Sequence, residues 1–289
     1  MLPTSAASSA RLSGVALVGA LAVGLALAGG GADSGSGSGP PIASRAAGGP
    51  PRPASVPASI HRGLRRRLLL GRSVQGRAIW AYEVASPPAP SASGRPAGAY
   101  RRMLVMGVIH GDERAGLAVT RRLRELPVQP GVDLWMLDDL NPDGAVRGTR
   151  QNARGVDLNR NFPYRWQRGG RPGDQQYPGA SPLSEPEARI AQRLILRLHP
   201  TITLWFHQPL GLVDESGADV AVQRRFARLS GLPLRRLPRY PGSAVGWQNH
   251  GLPGTTAFVV ELPPGGLSIP AQARMASAVR ALARAEAPG

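Results

Sequence analysis

The sequence predicts a single α/β domain built on a mixed, mostly parallel twisted sheet with helices on both faces. Short β-prone apolar runs alternate with segments of helical spacing, the pattern of strands joined by covering helices. His110, Asn141, His207 and Glu261 each fall just past the end of such a run, and sheets of this type bind ligands at the carboxyl ends of their strands. Residues 59–289 are enough chain for one such domain, and no internal repeat divides them.

In order, the turn at Gly71 to Gly76 leads into a strand over Arg77 to Val84. Met103 to Ile109 is an apolar strand, followed by a helical pattern from Ala115 to Glu125. Val132 to Leu137 is a third strand and ends in the turn-rich Asn141-Pro142-Asp143-Gly144. The polar stretch Ala145 to Pro182 is too long for an idle connection, and loops of that length are usually functional. Ser184 and Glu187 have the spacing of a capping box opening a helix that runs to about Leu198. A strand at Ile202 to Phe206, a helix near Val220 to Leu229, a strand at Ala257 to Val260 and a helix from Pro270 to Ala285 complete the pattern.

Ahead of this domain, residues 1–32 hold Arg11 and the apolar run Leu12 to Ala28, which reads as a secretory signal. An uncleaved membrane anchor is the competing reading, because the run approaches the ~18 residues a spanning helix needs. No cysteine is present to carry a lipid anchor, to form a disulfide or to serve as nucleophile. Residues 33–58, rich in Gly, Ser and Pro, form a flexible tether that buries almost nothing. The net charge of +17 comes from 35 basic residues, all arginine. Total exclusion of lysine points to compositional bias in the encoding genome, with attraction to an anionic envelope polymer as the second reading. Nucleic-acid binding is excluded for want of a recognisable motif or interleaved aromatics.

The chemistry starts at His110-Gly111-Asp112-Glu113, where an imidazole and a carboxylate three residues apart can share one face and one metal ion. Nitrogen and oxygen donors suit zinc. His207, closing Leu204-Trp205-Phe206, is the natural third ligand, and two histidines with one carboxylate leave a coordination position open, as catalytic zinc requires. His61, His199 and His250 are read as structural. Glu261, after Phe258-Val259-Val260, is placed to act as general base beside such a metal. Arg160, between Asn159 and Asn161 in the segment Thr149 to Pro163, offers a fork for a carboxylate or a developing oxyanion.

Taken in order, His-Gly-Asp-Glu, Asn-Pro-Asp-Gly, Gly-Val-Asp-Leu-Asn-Arg-Asn-Phe-Pro, a strand-final His and a strand-final Glu resemble the zinc carboxypeptidase family. Within it the chain is most similar to the bacterial branch that contains murein peptide amidases. The resemblance spans about Gly71 to Arg284 and implies a zinc-carboxypeptidase-like fold. It implies one zinc ion held by His110, Glu113 and His207, with Glu261 as general base and acid. It further implies that Arg150 polarises the scissile carbonyl, that Asn159 and Arg160 grip the substrate's free carboxylate, and that Asp157 orients His110. Many members carry a tyrosine over the site; Tyr240 and Trp247 both stand near the place for one.

The expected function is that of an exported zinc metallopeptidase. It would hydrolyse an amide bond next to a free carboxylate, in a cell-wall (murein) peptide, by metal-activated water. Two alternatives stand beside it: a deacylase of small N-acyl amino acids of the aspartoacylase type, and a non-catalytic envelope-binding protein. Side-chain specificity is expected to reside in the loops Arg165 to Gly179 and Asp214 to Asp219.

Overall fold

The computed structural model describes residues 64–85, 101–127, 132–215 and 217–284. The expected signal or anchor (1–32), tether (33–58) and His61 lie outside the described residues. Eight strands form one sheet: β1 (Leu64–Arg72), β2 (Ala78–Ala85), β3 (Arg101–Met106), β4 (Val132–Leu137), β5 (Ile202–His207), β6 (Leu212–Asp214), β7 (Leu234–Arg235) and β8 (Thr256–Glu261). Their spatial order is β1-β2-β4-β3-β5-β8-β6-β7. The centre (β4, β3, β5, β8) is parallel, β2 joins it antiparallel at β4 and β6 antiparallel at β8, β1 pairs antiparallel with β2, and β7 runs parallel to β6. The mixed sheet expected from the sequence is therefore the one observed.

Central strands are buried on both faces, so they read as continuous apolar runs rather than alternating ones. Met103, Val105, Ile202, Leu204, Phe206, Phe258 and Val260 point into one core, shared with helices α1 (Ala115–Glu125), α4 (Val220–Ser230) and α6 (Ile269–Ala283). Leu104, Met106, Trp135, Trp205 and Ala257 point into the other, shared with α3 (Pro186–Leu198) and α5 (Ala244–Gly251). Among the described residues, no helix is long and apolar enough to cross a membrane.

Several local expectations are corrected. The strand β1 was not anticipated: three consecutive arginines interrupt its apolar pattern, and a register shift between Leu69 and Gly71 breaks its alternation. Asn141-Pro142-Asp143-Gly144 is not a turn alone but the start of a short helix, α2 (Pro142–Arg147), with Asn141 as N-cap accepting from the Gly144 amide at 2.9 Å. The capping box at Ser184 does not form. Glu185 is the N-cap and makes no capping bond with its side chain, while Glu187 turns inward to accept from Val74 N at 3.0 Å and Asn152 Nδ2 at 3.1 Å. Helix α5 and the short strands β6 and β7 were also unanticipated.

The long polar stretch is ordered by two buried asparagines, which supply the backbone partners that no sheet or helix provides. Asn152 Oδ1 accepts from the amides of Arg154 and Val156. Asn161 Nδ2 donates to the carbonyls of Pro178 and Ser181. Asp157 N–H donates to Tyr177 O at 2.9 Å, tying the middle of the stretch to its far end.

Candidate metal centre and the cavity around it

His207 and Glu261 are the last residues of β5 and β8 and face each other in parallel register. Strand alternation carries both on the α3/α5 side of the sheet. His110 arrives four residues after β3, in a turn closed by Glu113 N–H to His110 O at 3.1 Å. The pair shares a face through this turn, not through a helix, since α1 starts only at Ala115.

The three side chains converge. His110 Nδ1 lies 2.8 Å from Glu113 Oε1, His207 Nδ1 lies 2.8 Å from Glu113 Oε2, and the two Nδ1 atoms are 3.2 Å apart. Two imidazole lone pairs and a carboxylate pointed at one another repel unless something positive lies between them. These separations suit ligands bound to one zinc ion at ~2.0–2.1 Å each. The donor set thus fits a single divalent cation, and these three residues are the group among those described that could hold one.

Asp157 supports this group from behind. Its Oδ1 lies 3.1 Å from His110 Nε2, which leaves Nδ1 free to face the cation position. Asp157 also accepts from Arg150 Nε at 3.0 Å and caps the 3-10 turn Leu158–Arg160 through Asn159 N–H. Arg150 Nη1 reaches Glu113 Oε1 at 2.9 Å, so this arginine bridges two carboxylates at the edge of the centre. Its loop is held by Asn141 Nδ2 donating to Arg150 O at 3.1 Å. Asn141 itself is fully buried and serves that loop instead of joining the site, contrary to its expected place beside the two histidines and Glu261.

Charges are strongly coupled here. Burial disfavours a charged His110, yet the Asp157 and Glu113 carboxylates outweigh it and raise its pKa above the ordinary value. Burial also opposes ionised Glu113 and Asp157, but the facing imidazoles, with Arg150 and Arg160 beside Asp157, hold both well below the usual carboxylate range. Glu261 goes the other way. Burial pushes it up, His207 pulls against that, and Glu113 adds to the rise.

A cavity of about 940 Å³ opens over the centre. Arg150, Asn159 and Arg160 line it together with the three ligand candidates. Asn159 Oδ1 accepts from Ala244 N at 3.0 Å, anchoring it to the first turn of α5. Arg160 is 7% exposed, donates from Nη1 to Asn159 O at 2.8 Å, and lies 4.1 Å from the Tyr240 ring centre. Its Nε is buried without a protein partner. Tyr240 lines the cavity, whereas Trp247 packs in the core against Phe162 at 5.5 Å, so only the tyrosine stands over the site. From the loop Arg165 to Gly179, Arg165, Trp166, Gln167, Gln175 and Gln176 reach the cavity; from Asp214 to Asp219 only Asp214 does.

Several wall residues carry no signal in the sequence, His250, Tyr164 and Gln208 among them. His250, read as structural, stacks on Tyr164 at 3.9 Å and 14°, and both line the cavity. Gln208 was passed over, although it follows His207 directly and lines the cavity too.

Fold and site together define a class: an α/β sheet carrying a His/Glu/His cation site and an arginine-walled cavity at the carboxyl ends of its parallel strands. The chain belongs to the zinc carboxypeptidase family, which matches residues 61–208. It is 35% identical over 157 residues to murein peptide amidase A of Escherichia coli K12, and 35% identical over 179 residues to the protein of that name from Vibrio campbellii. The first match covers 50% of this chain and 62% of the relative, the second 56% and 70%. Murein-tripeptide amidase from Escherichia coli O157 superposes with a TM-score of 0.61 at 26% identity, covering 81% of this chain and 98% of that one. Carboxypeptidase A from Helicoverpa armigera shares the fold, with a TM-score of 0.63 at 18% identity over 76% of this chain and 69% of that one.

Proposed function

We propose that the protein is an exported zinc metallopeptidase that hydrolyses an amide bond next to a free carboxylate, with cell-wall murein peptides as its substrates. One observation carries this reading. A cation site, a carboxylate on the neighbouring strand end and a largely buried arginine all line one cavity.

In this reading His110, Glu113 and His207 hold one zinc ion. When bound, zinc supplies Lewis acidity, which makes water a proton donor near neutral pH and polarises a carbonyl. Arg160 and Asn159 receive the terminal carboxylate of the substrate and so fix which bond is presented. Glu261 takes the proton from the attacking water and later delivers it to the departing amine. Its raised pKa suits both halves of that task, since the protonated form must last long enough to be used. The Leu210 amide, 3.4 Å from Glu261 Oε2, steadies the ionised form. Arg150 stands at the edge of the centre to support the oxyanion, and Asp157 keeps His110 in the tautomer that presents Nδ1.

The matched family segment ends at Gln208, so the case for Glu261 is geometric: its place in register with His207. The murein substrate rests on the likeness to murein peptide amidases, together with an N-terminal segment (1–32) read as an export signal and a tether (33–58) ahead of the catalytic domain (59–289). The cavity, about 940 Å³ with Tyr164, Arg165 and Gln176 also in its wall, has room for a peptide larger than a small N-acyl amino acid.

The deciding experiment pairs metal analysis with a substrate panel of defined muropeptides, ordinary peptides and acyl amino acids, run with and without a chelator. Glu261→Gln is expected to retain zinc and lose hydrolysis by at least about 10²-fold, the scale of a general base. Bound zinc with undiminished hydrolysis in this variant would refute the mechanism.

A further inference from the structure

We propose that Gln208 is a positioning residue that locks the general-base segment to the metal-ligand turn. The inference rests on the function proposed above and concerns a side chain to which neither the sequence motifs nor that reading gives a role.

Gln208 sits where three segments meet. Its backbone N–H donates to Glu113 Oε2 at 3.2 Å. Its side-chain Oε1 accepts from the Ala115 amide at 2.8 Å. Its Nε2 donates to Pro263 O at 2.7 Å and Gly265 O at 2.8 Å. The amide group has two N–H donors and one carbonyl, and every one of these functions is engaged.

The placement of those partners gives the bonds meaning. Ala115 opens α1, whose N-cap residue Arg114 makes no capping bond with its side chain. A helix start leaves backbone amides without partners, and Gln208 satisfies one of them from a different strand. Ala115 is two residues past Glu113. Pro263 is two residues past Glu261. One side chain therefore spans from the ligand turn to the strand end that carries the base. Its own backbone continues from His207, the third ligand.

Each segment has ties of its own, and Gln208 is the side chain that joins the two. Leu262 N–H is held by His207 O at 2.7 Å, but the carbonyls of Pro263 and Gly265 belong to an irregular turn outside β8. Without Gln208, Leu262 to Gly266 would depend on water for those carbonyls. The direction of Glu261 relative to His110, Glu113 and His207 would then rest on its pairing with His207 and Leu212 and on the Leu210 amide, with one tie fewer beyond the strand end. A displacement of about 1 Å at a reacting group can cost about 10²-fold in rate without altering the groups that bind substrate.

Substitution separates this role from substrate binding and from folding. Gln208→Met keeps the length and removes every side-chain hydrogen bond. Gln208→Glu keeps an acceptor for the Ala115 amide but turns an oxygen toward the Pro263 and Gly265 carbonyls. Both are expected to lower kcat by about 10- to 100-fold with KM within about threefold of wild type, measured on fully zinc-loaded full-length protein. Amide hydrogen exchange, read on the same proteins without substrate, is expected to quicken in 262–266 for both variants, followed at Leu262, Gly265 and Gly266 because Pro263 and Pro264 carry no N–H. In 115–117 it should quicken for Gln208→Met alone. Unchanged kcat, a change in KM that matches the change in kcat, or unchanged exchange in 262–266 would each overturn the proposal. Should wild type hydrolyse nothing, or Glu261→Gln stay active, the functional reading fails instead, and exchange still decides whether Gln208 makes the link.

Discussion

Arg160→Met offers the sharpest test of how the cavity selects its substrate. The guanidinium is 7% exposed, its Nη1 is committed to Asn159 O, the Tyr240 ring covers it at 4.1 Å, and Nε has no protein partner. A carboxylate arriving there would meet a cation already desolvated and oriented. Burial disfavours the charged form of Arg160 and lowers its pKa, with Asp157 pulling the other way. Hydrogen bonds to charged groups contribute about 1.5–3 kcal/mol each, so two sum to about 3–6 kcal/mol, and discounting the second for overlap leaves about 3–4 kcal/mol as the working value. At 1.4 kcal/mol per tenfold, the variant should lose about 10²- to 10³-fold in kcat/KM on a substrate with a free terminal carboxylate. The assay is a two-by-two comparison, wild type and variant against the free acid and its terminal amide. Wild type should prefer the acid by that factor and the variant should not. Equal losses by the variant on acid and amide, or a retained preference for the acid, would remove Arg160 from substrate recognition.

Two further outcomes follow from the buried carboxylates. Asp157→Asn removes the anion that orients His110 Nε2 and neutralises Arg150, so equilibrium zinc affinity, measured by chelator competition, should fall about 10- to 100-fold; an unchanged affinity would show that His110 needs no such partner. Asp139 is pushed up to about 6 by burial, even though it accepts from the Asn141 amide at 2.9 Å. Because its folded pKa lies above the unfolded value of 3.8, the folded state holds the extra proton, and stability falls as pH rises from about 4 through 6. Asp139→Asn keeps the acceptor and drops the charge, so it should stabilise by about 1–3 kcal/mol at pH 7.5 and by almost nothing at pH 3.5 in denaturant titrations. An equal effect at both pH values would contradict the burial argument.

How much of this was legible in the chain depends on which forces were local. Strands β3, β4, β5 and β8 are buried on both faces and therefore announce themselves as unbroken apolar runs. The ends of β5 and β8 then point to His207 and Glu261, whereas His110 lies in a turn four residues beyond β3, and the same rule also selects Asn141, which serves the Arg150 loop instead. Strand β1 was hidden because its arginines find partners only in the folded sheet: Arg66 pairs with Glu83 at 2.7 Å, and Arg67 stacks on Trp80 at 3.6 Å. Read alone, that run looks solvated. Glu187 was misread for the same reason. At capping-box spacing a glutamate is expected to turn back on its own helix, but Val74 and Asn152 offer it buried donors from other segments.

The two halves of the candidate site differ in the same respect. Two of the metal-side residues hang on strand ends, where register fixes them, so composition and order along the chain suffice to find them. The substrate side is assembled by two loops that meet at Gly242. Phe162 N–H donates to Gly242 O and Gly242 N–H to Tyr164 O, both at 2.9 Å, sealing the Tyr240 segment against the Arg160 segment. Gly242 has a positive φ of 68°, and a Cβ there would sit 2.1 Å from Arg160 O, so only glycine permits the contact. Nothing in the spacing of Tyr240, Trp247 or His250 reveals this seal, which puts the tyrosine over Arg160 and leaves the tryptophan in the core. In the function proposed above, the chemistry thus falls to elements whose positions the apolar pattern dictates, and recognition to loops whose positions depend on one close approach. That division explains why the reaction type is easier to read from such a chain than the substrate it takes.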